Sequence, residues 1–267
     1  MKVRVLSAII MIAVFLPLLI IGELPFAIFM ALLSAFGLYE IIKVRESKKK
    51  FPTLLKVFAY IMVVAFCMYN FDSIEFSSQF DYRVMALLLF LFLSPIVFIS
   101  DFDKYNYNDA LYLIGSSLFI GLSFNLIVII RNFDISYIIY LLLITTITDT
   151  FALLTGMLVG KHKMSPKISP KKTWEGLVGG TFMGTFIATA FYFTVINSNC
   201  SLVFLIFSTM LLCLVGQVGD LVFSSIKRYY EVKDFSNLIP GHGGILDRFD
   251  SLVFVTFAFI ILKGILL

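Results

Sequence analysis

Charge is scarce in this chain. Only 14% of its 267 residues are charged, 60% are hydrophobic, and the mean hydropathy is +0.99. A soluble domain carries about 25% charged residues, so a water-soluble enzyme and a charge-rich disordered chain are both excluded. Cysteine is equally sparse: Cys67, Cys200 and Cys213 have no CxxC or paired spacing. That excludes a disulfide scaffold and leaves ordinary packed or lipid-facing thiols. With two histidines in the whole chain, there is no Cys/His cluster for zinc. No internal repeat emerges, which weighs against a transporter built from inverted halves. No small-residue cleavage site follows the first apolar segment, Val5 to Ile21. It is expected to be a retained helix rather than a signal peptide.

Long apolar runs are what the chain does have. A membrane-spanning helix needs about 20 largely apolar residues. Nine candidate runs lie near 4–22, 25–43, 54–70, 84–100, 110–131, 136–160, 175–196, 201–226 and 250–267. The expected fold is all-α: a polytopic integral membrane protein of about nine transmembrane helices, forming a single transmembrane domain over 1–267. Residues 1–131 hold helices one to five, and 132–267 hold helices six to nine. With the N-terminus inside, eighteen of the 21 basic residues fall on inner segments. Arg83, Arg131 and Lys263 alone fall elsewhere, the split the positive-inside rule expects of an N-in, C-out chain. The net charge of +4 thus reflects basic inner loops suited to anionic lipid headgroups and phosphates, not to nucleic acid. Lys48-Lys49-Lys50 reads as a topogenic, lipid-contacting run, and 71–82, with Asp72, Glu75 and Asp81, as a solvated outer loop.

Charges inside spans are costly and face a cavity or a partner. Asp149 lies about 16 Å and Asp220 about 10 Å from the inner ends of their helices, at 1.5 Å per residue. Glu40, near the inner end of the second span, can snorkel and is read as structural. Asp247 and Asp250, three apart, share a helix face, and Asp250 opens the final span as a potential N-cap. Carboxylates so arranged suit Mg²⁺, which fills its shell with water and phosphate oxygens. The expected cofactor is one or two divalent cations, with room for a monovalent one, on Asp220, Asp247 and Asp250, and Asp149 as a secondary ligand. Pro240-Gly241-His242-Gly243-Gly244 offers a turn whose N–H groups can approach phosphate. With Lys227, Arg228, Lys233 and Arg248 beside it, the segment has the makings of a polyphosphate site. A second basic loop, Ser165 to Gly176, carries two Ser-Pro-Lys units that stiffen Lys171 and Lys172 near the bilayer face. Thr173 is placed to cap the seventh span. A polar cavity is expected among spans six, eight and nine.

Two segments resemble the phosphatidate cytidylyltransferase (CDP-diglyceride synthase) family. Ser224 to Asp250 is similar to the family signature: Ser-x-Ile-Lys-Arg, then Lys233-Asp234, Ser236, Pro240, His242-Gly-Gly and Asp247-Arg-Phe-Asp250. Ile168-Ser-Pro-Lys-Lys-Thr173, Glu175-Gly176 and Gly179-Gly180 resemble a second family segment. Where the family has a Gly-Arg pair after Asp149-Thr150, this chain has Gly156-Met157, with Lys161 and Lys163 nearby.

The resemblance implies that helices six to nine are catalytic and that CTP and phosphatidic acid give CDP-diacylglycerol and pyrophosphate for phospholipid biosynthesis. The setting it implies is the inner, cytoplasmic membrane, with the site facing the cytoplasm. Asp220, Asp247 and Asp250 would then carry the cation. Lys171, Lys172, Lys227, Arg228, Lys233 and Arg248, with Gly243 and Gly244, would hold substrate phosphates. His242 would contact phosphate, protonate pyrophosphate or order its loop. Membrane lipids are expected partners, and small residues such as Gly115, Gly121, Gly179 and Gly180 allow close packing within the chain or in a homodimer. Two rivals stay open. A CTP-dependent polyprenol kinase would release CDP, and an ion-coupled transporter would use Asp149 and Asp220 as ion ligands.

Overall fold

The computed structural model describes residues 2–69, 71–72, 82–99, 101, 103–196 and 200–266. Of the expected outer loop, residues 73–81, including Glu75 and Asp81, lie outside the described residues. The chain divides into two compact units, Met1–Phe133 with Asp234–Leu246, and Asp134–Lys233 with Asp247–Leu267. Among the described residues each of the nine apolar runs falls largely on helix, the run at 84–100 being broken in two at Ser94, because in hydrocarbon a helix satisfies every backbone N–H and C=O within its own segment.

The first unit contains α1 (Lys2–Ile21), α2 (Glu23–Glu46), α3 (Thr53–Met68), α4 (Tyr82–Leu93), the short α5 (Pro95–Phe98) and α6 (Tyr107–Phe133). Helices α2, α3 and α6 pack on one another around buried Phe26, Met30, Phe66 and Phe124. At the α3–α6 contact a Cβ on Gly121 would lie 2.7 Å from Phe66 Cβ, so only glycine permits it. The C-terminal carbonyls of α1 are capped from another helix: Arg131 donates through Nε to Leu19 O (2.7 Å) and through Nη2 to Ile20 O (2.6 Å). Buried Asp109 pairs with Arg45 at 3.0 Å and with Lys49. Arg45 therefore ties α2 to α6, and Lys49 ties the α2–α3 loop to it, a role its place in the lysine run did not predict.

The second unit contains α7 (Ile135–Leu158), a hairpin of β1 (Lys163–Ser165) and β2 (Ser169–Thr173), and α8 (Trp174–Phe191), continued by a π-helical turn (Tyr192–Ile196). It is completed by α9 (Leu202–Tyr229) and α10 (Leu246–Leu266), the latter starting at the unit boundary. Asp134 caps α7 by accepting from Ser136 N at 2.7 Å, and Thr173 caps α8 by accepting from Gly176 N at 3.1 Å. Gly176, Gly180 and Gly184 recur every four residues on the face of α8 that lies against α7. A Cβ on Gly180 would stand 2.6 Å from Thr148 O, so side chains there would force the helices apart.

Among the described residues six helices are long and apolar enough to cross a membrane: Val3–Ile21, Glu23–Glu46, Tyr107–Phe133, Ile135–Leu158, Trp174–Ile196 and Leu202–Tyr229. Thr53–Met68 and Met85–Phe98 are shorter apolar helices. Along α1, Val5, Leu6, Ile9 and Ile12 are all more than half exposed, an apolar surface that hydrocarbon covers at no cost. The protein is an all-α, multi-pass membrane protein, the β1–β2 hairpin apart.

Candidate functional site

Acidic and basic side chains gather in the second unit, on α7, α9, α10 and the β1–β2 hairpin. Asp149 on α7, Asp220 on α9 and Asp250 on α10 interact electrostatically with one another, Lys172 acting on Asp149 and Lys227 on Asp250 as counter-charges. Lys172 Nζ stands 2.8 Å from Asp220 Oδ2 and donates to Gln217 O at 3.1 Å. The hairpin makes this possible. Strand β2 ends at the Thr173 cap, so Lys172 is delivered to the start of α8 with its backbone fixed. Ser224 Oγ, one turn beyond Asp220, donates to Asp220 Oδ1 at 3.2 Å.

Lys227 Nζ donates to Asp247 Oδ1 at 2.6 Å, with the two side chains 10% and 4% exposed. A pair this buried is held by mutual neutralisation, because either charge alone would carry an uncompensated desolvation cost. Arg228 anchors the loops around the cluster, donating through Nε to Ile168 O (3.2 Å) and through Nη1 to Val232 O (3.0 Å). Lys171, Lys233 and Arg248 lie exposed.

The glycine-rich part of the signature belongs to the first unit. Pro240 and Gly241 (φ +79°) are the central residues of a turn closed by His242 N donating to Ile239 O at 2.9 Å, the residue order a type II turn requires. The His242 N–H is thus spent inside the turn. Ser7 Oγ lies 2.9 Å from His242 Nδ1 and donates to Pro240 O at 2.8 Å, so α1 holds both turn and imidazole. Gly243 has φ +86° and bridges back to Ile239. Glu40 does not snorkel: it is fully buried and accepts from Ser236 Oγ (2.5 Å), Ile245 N (2.9 Å) and Leu246 N (2.9 Å). A Cβ on Gly244 would fall 2.3 Å from Glu40 Oε1, so this glycine makes room for the carboxylate. Capped by Glu40, α10 begins at Leu246, one turn before the expected start at Asp250. Asp250 therefore lies inside the helix, accepting from Ser251 N at 2.7 Å.

The profile of the cytidylyltransferase family matches residues 2–266. The chain belongs to that family. It is 35% identical over 259 residues to the phosphatidate cytidylyltransferase of Bacillus subtilis (strain 168), covering 96% of this chain and 94% of the relative. It is 37% identical over 257 residues to the enzyme of the same name from Staphylococcus aureus (strain COL), covering 96% of each. As a cytidylyltransferase family member the chain is a nucleotidyl-transferring enzyme, and the cluster is read for phosphate chemistry.

Among the described residues no three His, Cys, Asp or Glu side chains gather closely enough to hold a metal ion. Mg²⁺ asks for less than that: one or two carboxylates, with water and substrate phosphates completing its shell. The donor chemistry of Asp220 and Asp250, all oxygen and neighboured by Asp149, fits such a cation. Asp220 and Asp247 each carry a lysine partner, and the Lys227–Asp247 pair is the more buried of the two. At the position of the family's Gly-Arg pair, Gly156 packs close to Thr173 and Met157 is exposed, so no guanidinium is supplied there.

Contacts of Glu40 and Ser7 in the first unit, and of Gln217 and Ser224 in the second, are not legible in the sequence. Glu40 carried the same signal as Asp149, an acid within a span, and was set aside for its place near the helix end. Ser7 and Gln217 carry none, since a lone hydroxyl or amide in an apolar run is ordinary, and Ser224 is legible only as the first residue of the signature, not as a partner of Asp220.

Proposed function

We propose that this protein transfers a cytidylyl group from CTP to phosphatidic acid, giving CDP-diacylglycerol and pyrophosphate. The observation that carries the reading is the acid cluster on α7, α9 and α10, with lysine counter-charges, at the base of hydrophobic spans in a cytidylyltransferase family member. The names of the Bacillus and Staphylococcus relatives supply the lipid substrate. An oxygen of the phosphatidate phosphate attacks the α-phosphorus of CTP. The bond from that phosphorus to the bridging oxygen breaks, and pyrophosphate leaves with the electron pair. The nucleophile is already anionic, so positioning and charge neutralisation do the work.

Asp220 and Asp250, supported by Asp149, are the residues to hold a divalent cation. A cation bound there would supply charge neutralisation to the reacting phosphates. Lys172 leaves Asp220 for phosphate as the site fills, and exposed Lys171, Lys233 and Arg248 draw the nucleotide in. The basic loops carrying these groups favour a site on the cytoplasmic face of the cell membrane, where CTP is available.

The test is turnover by detergent-purified protein supplied with CTP radiolabelled at the α-phosphorus, phosphatidic acid and Mg²⁺. Label should enter the lipid extract and be lost with EDTA. Label recovered only as free CDP would replace this reading with a lipid kinase.

A further inference from the structure

Helices α8 and α9 enclose a groove of about 690 Å³, open along one side and lined by apolar side chains and threonine methyls. From Leu177 to Phe193 it follows seventeen residues of α8 and the π-helical turn after it, about 24 Å at the helical rise. One leaflet of a bilayer is about 15 Å deep, half of a 30 Å hydrocarbon core, so the groove is long enough for a whole acyl chain. Phe182 and Phe186 stand exposed along it, and α9 contributes Ile206 and Met210 opposite.

Behind one end of the groove, whose own lining is apolar with threonines, sits a buried polar residue. Gln217 donates through Nε2 to Leu177 O (3.2 Å) and Thr181 Oγ1 (2.9 Å), two residues of the groove wall. The carbonyl of the same Gln217 accepts from Lys172 at 3.1 Å, and Lys172 pairs with Asp220. A single residue thus joins the wall of an apolar slot to the charged cluster. At the other end, near Phe193 and Leu202, the lining is apolar.

We propose that the α8–α9 groove holds one acyl chain of the lipid substrate, its phosphate lying toward Lys172 and its chain end toward Ala190 and Phe193. The proposal rests on the function proposed above and adds where the lipid lies and what measures its length. A bulk lipid in the same slot would gain from the apolar wall alone. Phosphatidic acid gains in addition from exchanging Asp220 for its own phosphate at Lys172, because that phosphate carries no choline to shield it.

The test uses full-length protein in phosphatidylcholine nanodiscs, photolabelled with a phosphatidic acid carrying a diazirine near its chain end. Adducts should map to the α8–α9 groove. Excess unlabelled phosphatidic acid should reduce them at least tenfold, while matched phosphatidylcholine leaves them unchanged. Ala190→Trp, on an exposed position remote from Lys172, should cut labelling at least fivefold. It should also raise KM for dioleoyl phosphatidate about tenfold and leave KM for CTP and for dioctanoyl phosphatidate within twofold. Equal competition by both lipids would reduce the groove to a bulk-lipid contact and overturn the proposal. So would adducts that phosphatidic acid displaces from elsewhere on the chain. Specific groove labelling without CDP-diacylglycerol formation would refute the proposed reaction and keep the lipid site. Turnover with an unlabelled groove would refute the site and keep the reaction.

Discussion

Glu40 and Leu246 lie 206 positions apart in sequence and 2.9 Å apart in the structure, the carboxylate accepting the first N–H of α10. The same carboxylate holds Ile245 N and Ser236 Oγ, so one buried acid organises both ends of the 236–246 loop. Hydrogen bonds to a charged acceptor contribute about 1.5–3 kcal/mol each. Glu40→Ala should therefore lower the unfolding midpoint in detergent and open the loop to limited proteolysis. Gly244→Ala should have the same effect from the other side, its methyl displacing Glu40. Protection of the 236–246 loop unchanged in both variants would remove Glu40 from this role.

The Lys227–Asp247 pair makes a separable prediction. Asp247→Asn takes from the buried Lys227 ammonium the carboxylate that lies 2.6 Å from it and should cost about 3–5 kcal/mol, with turnover lost. Removing both charges in Lys227→Met/Asp247→Leu should return most of the thermal stability and none of the turnover. A double variant with near-normal activity would reduce the pair to a structural element.

Asp220 is the carboxylate through which cation dependence is to be read. Asp220→Asn keeps the shape and the Ser224 contact while removing the charge that Lys172 balances. The Mg²⁺ concentration for half-maximal turnover should rise at least tenfold, with direct Mg²⁺ or Mn²⁺ binding weakened in parallel. An unchanged Mg²⁺ dependence would place the cation elsewhere.

The nine apolar runs were legible because the bilayer leaves the backbone one solution per run, so hydropathy alone locates the helices. The acid cluster was legible for the complementary reason: a charge within a span has to be explained, and Asp149 and Asp220 announce themselves. Local chemistry was readable where the partners are adjacent, as with Thr173 capping α8. The β1–β2 hairpin was not. Its strands are three and five residues long, and Ser-Pro-Lys units offer no apolar alternation to betray pairing. The start of α10 was misplaced because its cap arrives from α2, a contact no window of sequence contains. The lysines were read as phosphate ligands by type alone. Only the fold shows Lys172 and Lys227 already paired with Asp220 and Asp247.

Thr173 offers a modest control. Thr173→Ala removes the α8 cap and should cost about 1 kcal/mol, shifting the unfolding midpoint slightly. Because Lys172 is delivered by the same residues, KM for the phosphate substrates should rise by a few fold with kcat little changed. A drop in kcat with KM unaltered would contradict the positioning role of the hairpin.

The central claim is cytidylyl transfer to phosphatidic acid, and the most direct measurement follows the two ends of CTP separately. Purified protein is given phosphatidic acid and Mg²⁺ with CTP radiolabelled at the α-phosphorus in one reaction and the γ-phosphorus in another. The account predicts equimolar recovery, α-label in the chloroform-extractable lipid and γ-label in pyrophosphate, with both abolished by EDTA. Label from the γ-phosphorus appearing in the lipid, with the α-label left in free CDP, would contradict it.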